Sequence, residues 1–416
     1  MKYMNIGNSD VKASIITLGA WSIGGGSWWK NTEDELSIKT IHRALELGIN
    51  TIDTAPIYGL GHSEEIVGKA ISGNRDEFVI STKATFDWDT GVGRYWNDVD
   101  GHKVYVDHSY EGIKKDCENS LKRLGTDHID IYYAHNPAKD TSVYPVEDTV
   151  RALMDLKKEG KVLALGLSNA QPDVIQDWLD HGCELDIIQR KYSMLTRNVE
   201  ESVLPLCREK GMSYHAYSPL ERGILAGTVP ADRVVPKGDA RDGELWWSPD
   251  RLPSAVKFVD GLADICEQYQ CTRVQLAVAF LRAQGDFVNV ICGAHKPEQI
   301  EADAPAADVE LSNETVADIR KRLAALDASG VDDVVVLPFT REFAALEPTA
   351  FLERIFGDHA PQHLHVGDDF RFGAYAAGNG HTLVQWGAPR GMTVHEHHLV
   401  ESLQQPITAT RIRTEL

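Results

Sequence analysis

Cysteine is scarce in this 416-residue chain, with six thiols and no Cys-x-x-Cys pair. That excludes a disulfide framework and fits a reducing compartment. Basic residues are also short: 42 Lys and Arg face 62 Asp and Glu, a formal net charge of −20 at pH 7. Such a surplus of acid repels phosphate backbones and anionic lipid, so nucleic acid and membrane surfaces are excluded as expected partners. No run approaches the ~18 apolar residues of a membrane helix. The opening MKYMNIGNSDVKAS lacks a charged leader with an apolar core and cleavage site, so the expected setting is the cytoplasm. What is present is ordinary globular material, 43% apolar and 25% charged. The length allows roughly two or three domains, or one large barrel plus an appendage.

Across residues 1–310, short β-branched runs alternate with longer stretches of helical period. The runs are IITLG (15–19), NTIDT (50–54), FVISTK (78–83), HIDIYYAH (128–135), VLALGLS (162–168), DIIQRKYS (186–193), MSYHAYS (212–218) and VNVICG (288–293). One intervening stretch, TEDELSIKTIHRALELG (32–48), places Ile38, Ile41, Leu45 and Leu47 near one helical face. Thr32 and Glu35 read there as a capping box, and Gly48 as the stop. Eight strands with intervening helices predict an α/β fold, a parallel (β/α)8 TIM barrel. The opening KYMNIGNSDVKASI reads as a hairpin that turns at Gly7-Asn8-Ser9-Asp10 and caps one barrel end. Two long interruptions, 84–108 and 219–253, follow the third and seventh strands. They emerge on the face where barrel enzymes work and are expected to be lids. A helix over 311–330 completes the barrel, which places a domain boundary near Ser329-Gly330. The expected domains are a barrel over 1–328 and a small partial α/β segment over 331–416, opening with a strand at DDVVVLPF (332–339).

Polar groups stand at the strand ends: Asp53, Lys83, His135, Ser168-Asn169, Gln189 and Tyr217-Ser218, with Tyr58 five residues past Asp53. A buried Lys or Asp is costly unless paired, and adjacent strands would pair Asp53 with Lys83. A tyrosine hydroxyl beside that ammonium would have its pKa lowered and could act as a general acid. His135 could orient a carbonyl oxygen against the same hydroxyl. For any one of these residues, an ion pair or loop packing explains as much. Four on one rim favour chemistry.

The segments LGAWSIGGG (18–26), NTIDTAPIYGLGHSEEIVGKAI (50–71), VISTKA (79–84), LKRLGTDHIDIYYAHNP (121–137), KVLALGLSN (161–169), IIQRKYSML (187–195), AYSPLERGILAG (216–227) and ICGAHKPEQIEAD (291–303) follow one another in the order of a known superfamily. On them, residues 1 to about 327 resemble the aldo-keto reductases. The resemblance implies the (β/α)8 barrel and NAD(P)H-dependent reduction of an aldehyde or ketone, or oxidation of the matching alcohol or sugar. It implies a catalytic tetrad of Asp53, Tyr58, Lys83 and His135, with Tyr58 giving the proton. For the cofactor it implies Ser168, Asn169 and Gln189 on the nicotinamide carboxamide, Tyr217 stacked on the ring, and Trp21 beside them. Ser218, Leu220, Gly223 and Leu225 would line the pyrophosphate passage; Gly293, His295, Lys296, Gln299 and Asp303 would hold the adenosine end. Many members carry Arg, Gln and Asn at four-residue steps there, whereas here the steps read His295, Gln299 and Asp303. Losing an Arg fork weakens bidentate phosphate recognition, so NADP(H) is the family default and NAD(H) stays open. Trp21, Trp28 or Trp29, Trp88 and Trp96 are candidates for the pocket wall. The expected partner is a small carbonyl or sugar-like molecule; the oligomeric state is not written in the sequence, and no metal is assigned.

Other motifs fall short. GLGHSE (59–64) and GVGRYW (91–96) each lack the third glycine of a dinucleotide fingerprint. GLSNA (166–170) lacks the last glycine of a nucleophile elbow. Cys266 and Cys271 read as core or surface thiols. HEHH (395–398) resembles a metal tract, but Glu396 interrupts it, and strand alternation puts His395 and His397 on one face. A second resemblance covers the rear of the chain. VVVLPFTREFAALEPTAFLERIF (334–356), HLHVGDDFRFG (363–373) and ITATRIRTEL (407–416) resemble the second half of the nucleotidyltransferase module of bacterial FAD synthetase. By that resemblance Asp369, Phe370, Arg371, Gly373, Thr408, Thr410 and Arg413 would touch nucleotide. The family's His-x-Gly-His signature is absent from the chain. The kinase module that follows in the family is also expected to be missing, so the segment is expected to be an inactive remnant. FMN adenylyl transfer and a non-catalytic, nicotinamide-sensing barrel are the alternatives to reductase activity.

Overall fold

The eight expected strands are buried along nearly their whole length, as parallel strands covered on both faces must be. In this computed structural model, residues 1–30, 32–137, 144–327, 341–357, 360–367, 370–397, 401–402 and 405–406 are described. The chain divides into two compact units, Met1–Val334 and Val335–Leu416.

The first unit opens with the expected hairpin, β1 (Tyr3–Asn5) paired antiparallel with β2 (Lys12–Ser14). Then come β3 (Ile16–Gly19), β4 (Thr51–Asp53), β5 (Val79–Ala84), β6 (Phe86–Asp87), β7 (Arg94–Val99), β8 (His102–Val106), β9 (Ile129–Ala134), β10 (Val162–Ser168), β11 (Leu185–Lys191), β12 (Ser213–Tyr217) and β13 (Val288–Gly293). Strands β3, β4, β5, β9, β10, β11, β12 and β13 close into a parallel barrel. Ile6, Val11 and Ala13 of the hairpin region pack with Val79, Ile131, Tyr133, Ala164 and Ile187 of the strands, so the hairpin plugs the barrel floor. Above that plug the interior turns polar. Tyr133 Oη lies 2.8 Å from His215 Nδ1, His215 Nε2 lies 3.2 Å from Thr17 Oγ1, and Thr17 donates to Asn289 Oδ1 at 2.8 Å. These bonds satisfy groups that could not otherwise be buried.

Helix α1 (Asp34–Glu46) forms where its apolar face predicts, but without the expected capping box. Glu33 occupies the cap position, so Thr32 sits too early to reach the first turn; its hydroxyl donates to Ser22 O at 3.0 Å instead. The interruption at 84–108 is a folded three-stranded antiparallel sheet in the order β6-β8-β7. Within 219–253, Trp246 and Trp247 are buried, and their Nε1 atoms donate to Leu195 O and Glu221 O at 3.0 and 2.9 Å. The tryptophan pair is packed down, whereas most of 228–245 is exposed. A helix over Asn313–Asp327 buries Ile319 and Leu323 in the main core of this unit. The strand expected at 332–339, and the Ser329-Gly330 boundary, lie outside the described residues. No helix among the described residues is long and apolar enough to cross a membrane.

In the second unit, helices Pro348–Phe356 and Gly380–Gly387 accompany β14 (His363–Gly367) and β15 (Thr393–His397), which pair in parallel. Leu352, Phe372, Leu383, Trp386 and Met392 form its core. Asp369, Thr408, Thr410 and Arg413 lie outside the described residues.

Candidate active site

Asp53 ends β4, Lys83 lies near the end of β5, and His135 follows β9, so the barrel register brings all three to one rim. The Lys83 ammonium, fully buried, donates to Asp53 Oδ2 at 2.8 Å and to Thr54 O at 2.7 Å. Its distance to Tyr58 Oη is 3.4 Å. Asp53 Oδ1 accepts from Ser81 Oγ at 2.7 Å and from Gln189 Nε2 at 2.8 Å. A buried charge pair is tolerable only when its remaining atoms are bonded in this way.

Tyr58 is held by a close backbone approach. A Cβ on Gly24 would lie 2.6 Å from the Tyr58 carbonyl carbon, and one on Gly59, at φ +64°, would lie 2.1 Å from Gly24 O. Neither position has room for a side chain.

The electrostatics depart from expectation in one respect. Burial first, then the charge of Asp53 and the neighbouring Tyr217, push the Tyr58 hydroxyl well above its ordinary pKa. Lys83 still faces the hydroxyl, but the expected net lowering is not seen because burial and the Asp53 carboxylate outweigh it. Lys83 itself is lowered by burial, against the opposing pull of Asp53. His135 is pushed well below its ordinary value by burial and by Lys83, so its ring is neutral; its buried Nδ1 has no hydrogen-bond partner.

Beside these four lies a second group. Asn169, at φ +64°, donates to His135 O at 3.1 Å and accepts from Tyr217 Oη at 2.7 Å. Ser168 Oγ donates to Gln189 Oε1 at 3.4 Å. The following loop is strained: Ser218, Glu221 and Arg222 all have left-handed φ, with Gly223 at +111°. Glu221 anchors it, buried, accepting from Ser193 and Thr196 at 2.6 Å each and pairing with Lys191 at 2.8 Å. Leu225 is buried and Leu220 packs on the core nearby. Arg222, not singled out in the sequence, stacks 5.1 Å over the Trp21 ring and pairs with Glu244 at 2.7 Å. No spacing signal marks it.

At the far end, Gly293 has open space where a Cβ would stand. Gln299 Oε1 accepts from the backbone of His295 and Lys296 at 3.0 and 3.2 Å. Asp303 is buried, and burial pushes its carboxyl up to about 7. Of the wall candidates, Trp21 meets Trp29, Trp28 and Tyr58 at ring distances of 5.4, 6.0 and 6.2 Å. Trp96 meets Phe86 at 4.8 Å, and Phe86 meets His135 at 5.1 Å. Trp88 packs with the cluster behind Tyr58 and meets Arg123.

The profile described as the Aldo/keto reductase family matches residues 15–324. One described as FAD synthetase matches residues 288–411, starting on β13, which in this structure pairs with β12 and β3 inside the barrel. The chain is 39% identical over 329 residues to the NADH-specific methylglyoxal reductase of Escherichia coli (strain K12), covering 79% of this chain and 100% of the relative. It is 35% identical to the aldo-keto reductase YhdN of Bacillus subtilis (strain 168), over 82% of this chain and 99% of that one. Among solved structures, the glycerol dehydrogenase AKR11B4 from Gluconobacter oxydans aligns with a TM-score of 0.71 at 30% identity, covering 80% of this chain and 99% of the other. The holo form of aldo-keto reductase AKR11C1 from Bacillus halodurans aligns with a TM-score of 0.62 at 28% identity, over 77% and 96% of the two chains. The cofactor of such enzymes is a nicotinamide dinucleotide, and the site fits one. His135 Nδ1 is buried without a partner, the Asn169 amide is bonded to the His135 carbonyl, and Gly293 leaves room at the far end.

Proposed function

The chain belongs to the aldo/keto reductase family, and from that premise we propose that it reduces a small carbonyl compound with Tyr58 as proton donor. A nicotinamide dinucleotide, when bound, would supply the hydride. The observation that carries the reading is the convergence of Asp53, Lys83, Tyr58 and His135 at one barrel rim. Tyr58 keeps its proton at neutral pH, which is the form a donor needs. When that proton passes to the substrate oxygen, the tyrosinate left behind sits 3.4 Å from the Lys83 ammonium. Lys83 therefore stabilises charge that develops in the transition state, and Asp53 holds Lys83 in place. The neutral His135 ring offers a hydrogen bond to the carbonyl oxygen without competing for the proton. Ser168, Asn169 and Gln189 would hold the nicotinamide end, Tyr217 and Trp21 would flank the ring, and Ser218, Leu220, Gly223 and Leu225 would line the pyrophosphate passage.

The substrate class we favour is a small 2-oxoaldehyde with NADH as reductant. The relative named for NADH and methylglyoxal is matched over its full length, which supports this. So does the adenosine end, where the steps read His295, Gln299 and Asp303 and offer no Arg fork to a 2′-phosphate. We assign this reaction to residues 1–328 and none to 331–416. A panel of aldehydes, ketones and 2-oxoaldehydes, each run with NADH and NADPH, tests substrate and cofactor together. Tyr58→Phe should keep its affinity for NADH while kcat falls roughly 10²–10⁴-fold. Wild-type kcat in that variant, with hydride transfer rate-limiting, would remove Tyr58 from the role.

A further inference from the structure

Parallel sheets are seldom left open on a face, yet the two-stranded sheet of the second unit has one that is almost entirely histidine. Leu364, Val366 and Val394 pack into the core with Leu352, Leu383 and Trp386. Strand alternation then sets His363 and His365 of β14 beside His395 and His397 of β15 on the opposite face. The four rings form a ladder. His365 lies 4.4 Å from His395 and 5.0 Å from His397, ring centre to ring centre. His363 Nδ1 stands 3.2 Å from His395 Nε2, and His365 Nδ1 stands 2.7 Å from His397 Nε2. Glu396 projects elsewhere, against Gly380 at the start of the neighbouring helix.

Two imidazole nitrogens facing each other need a proton or a cation between them. The 2.7 Å pair has the length of an N–H···N bond. The 3.2 Å pair matches another geometry. Two nitrogens bound to one tetrahedral ion at about 2.0–2.1 Å stand about 3.3 Å apart. Imidazole is a ligand for zinc and copper rather than for calcium or magnesium. Among the described residues, no group of three or more such side chains converges on a single point, so the site is a two-histidine one.

We propose that this face binds one divalent late-transition-metal ion, Zn²⁺ or Cu²⁺, between His363 Nδ1 and His395 Nε2, with water completing the shell. The His365–His397 pair flanks the ion and is not part of its shell. Titration of the full-length chain with Zn²⁺ by calorimetry at pH 7.5 should give one site with a micromolar Kd. His363→Asn and His395→Asn should each weaken it about tenfold or more. His128→Asn, which alters a surface histidine beside Asp127 in the first unit, should leave it unchanged. Cu²⁺ bound to the unaltered protein should show hyperfine splitting from two nitrogens by electron paramagnetic resonance, a readout independent of whether any variant folds. Affinity unchanged in both ladder variants, or a copper spectrum without that splitting, would overturn the site. An equal loss from His397→Asn would overturn the assigned ligand pair.

Discussion

Asp53 is the residue on which the rim depends, because it accepts from Lys83, Ser81 and Gln189 at once. Its charge also adds to the burial that holds the proton on Tyr58. A second buried acid behaves differently. Asp303 gains no charged partner, so burial alone raises its carboxyl to about 7, against ~3.9 in an unfolded chain. Between those values the folded state holds the proton and the unfolded state does not. Stability therefore falls as pH rises from about 4 to about 7 and levels off above, a loss of at most about 4 kcal/mol. Asp303→Asn removes that slope. Thermal melts without cofactor should show the variant gaining Tm over wild type at pH 8 and little at pH 4. Parallel pH profiles for the two proteins would mean that Asp303 ionises in the fold at its ordinary value.

At the scale of elements, the small sheet of β6, β7 and β8 brings Trp96 against Phe86 and Phe86 against His135. Its turn, Asp100-Gly101, is left-handed at both residues, the geometry that lets a two-residue hairpin follow strand twist. Asp100 Oδ1 also accepts from Ser27 N at 2.9 Å, tying the sheet to the loop that holds Trp21, Trp28 and Trp29. Trp96 is 39% exposed and packs at a tilt on Phe86, which in turn meets His135. An aromatic pair contributes about 0.5–1.5 kcal/mol, so Trp96→Ala should raise KM for an aromatic aldehyde roughly 2–10-fold with kcat nearly unchanged. A fall in kcat at constant KM would place Trp96 with the reacting atoms instead. The Asp-Gly pair between alternating runs was a readable hairpin signal, although the length of 84–108 suggests a lid. The barrel strands were legible for a plainer reason: two-sided burial demands unbroken β-branched runs, and the rim residues sit at fixed offsets from their ends. The capping box was not, since one residue of slip at a helix start moves the hydroxyl out of reach. Nor was the direction of the Tyr58 shift, which depends on how deeply the hydroxyl is buried and on a carboxylate from another strand.

At the scale of the whole molecule, the question is what the second unit adds. The helix Asn313–Asp327 is tied to the barrel: Ile319 and Leu323 are buried in its core, Arg320 bonds Glu200 at 2.6 Å, and Arg322 bonds Asp264 at 2.7 Å. Every residue assigned to hydride transfer precedes it. A chain ending after Asp327 should therefore fold and keep the kcat and KM of the full-length reductase. The rear segment matches an FAD synthetase profile, but the His-x-Gly-His signature that would hold ATP phosphates is missing from all 416 residues. Phosphoryl chemistry rests on positioning and charge stabilisation, and half of such a site positions nothing. Full-length protein given FMN, ATP and Mg²⁺ should make no FAD by chromatography. Enzyme-dependent FAD would show that the segment supplies the phosphate contacts by other residues. If the shortened chain folds, with an unchanged far-ultraviolet spectrum, yet loses reductase activity, residues 331–416 help shape the active site. Aggregation on shortening would instead make them part of what keeps the barrel folded.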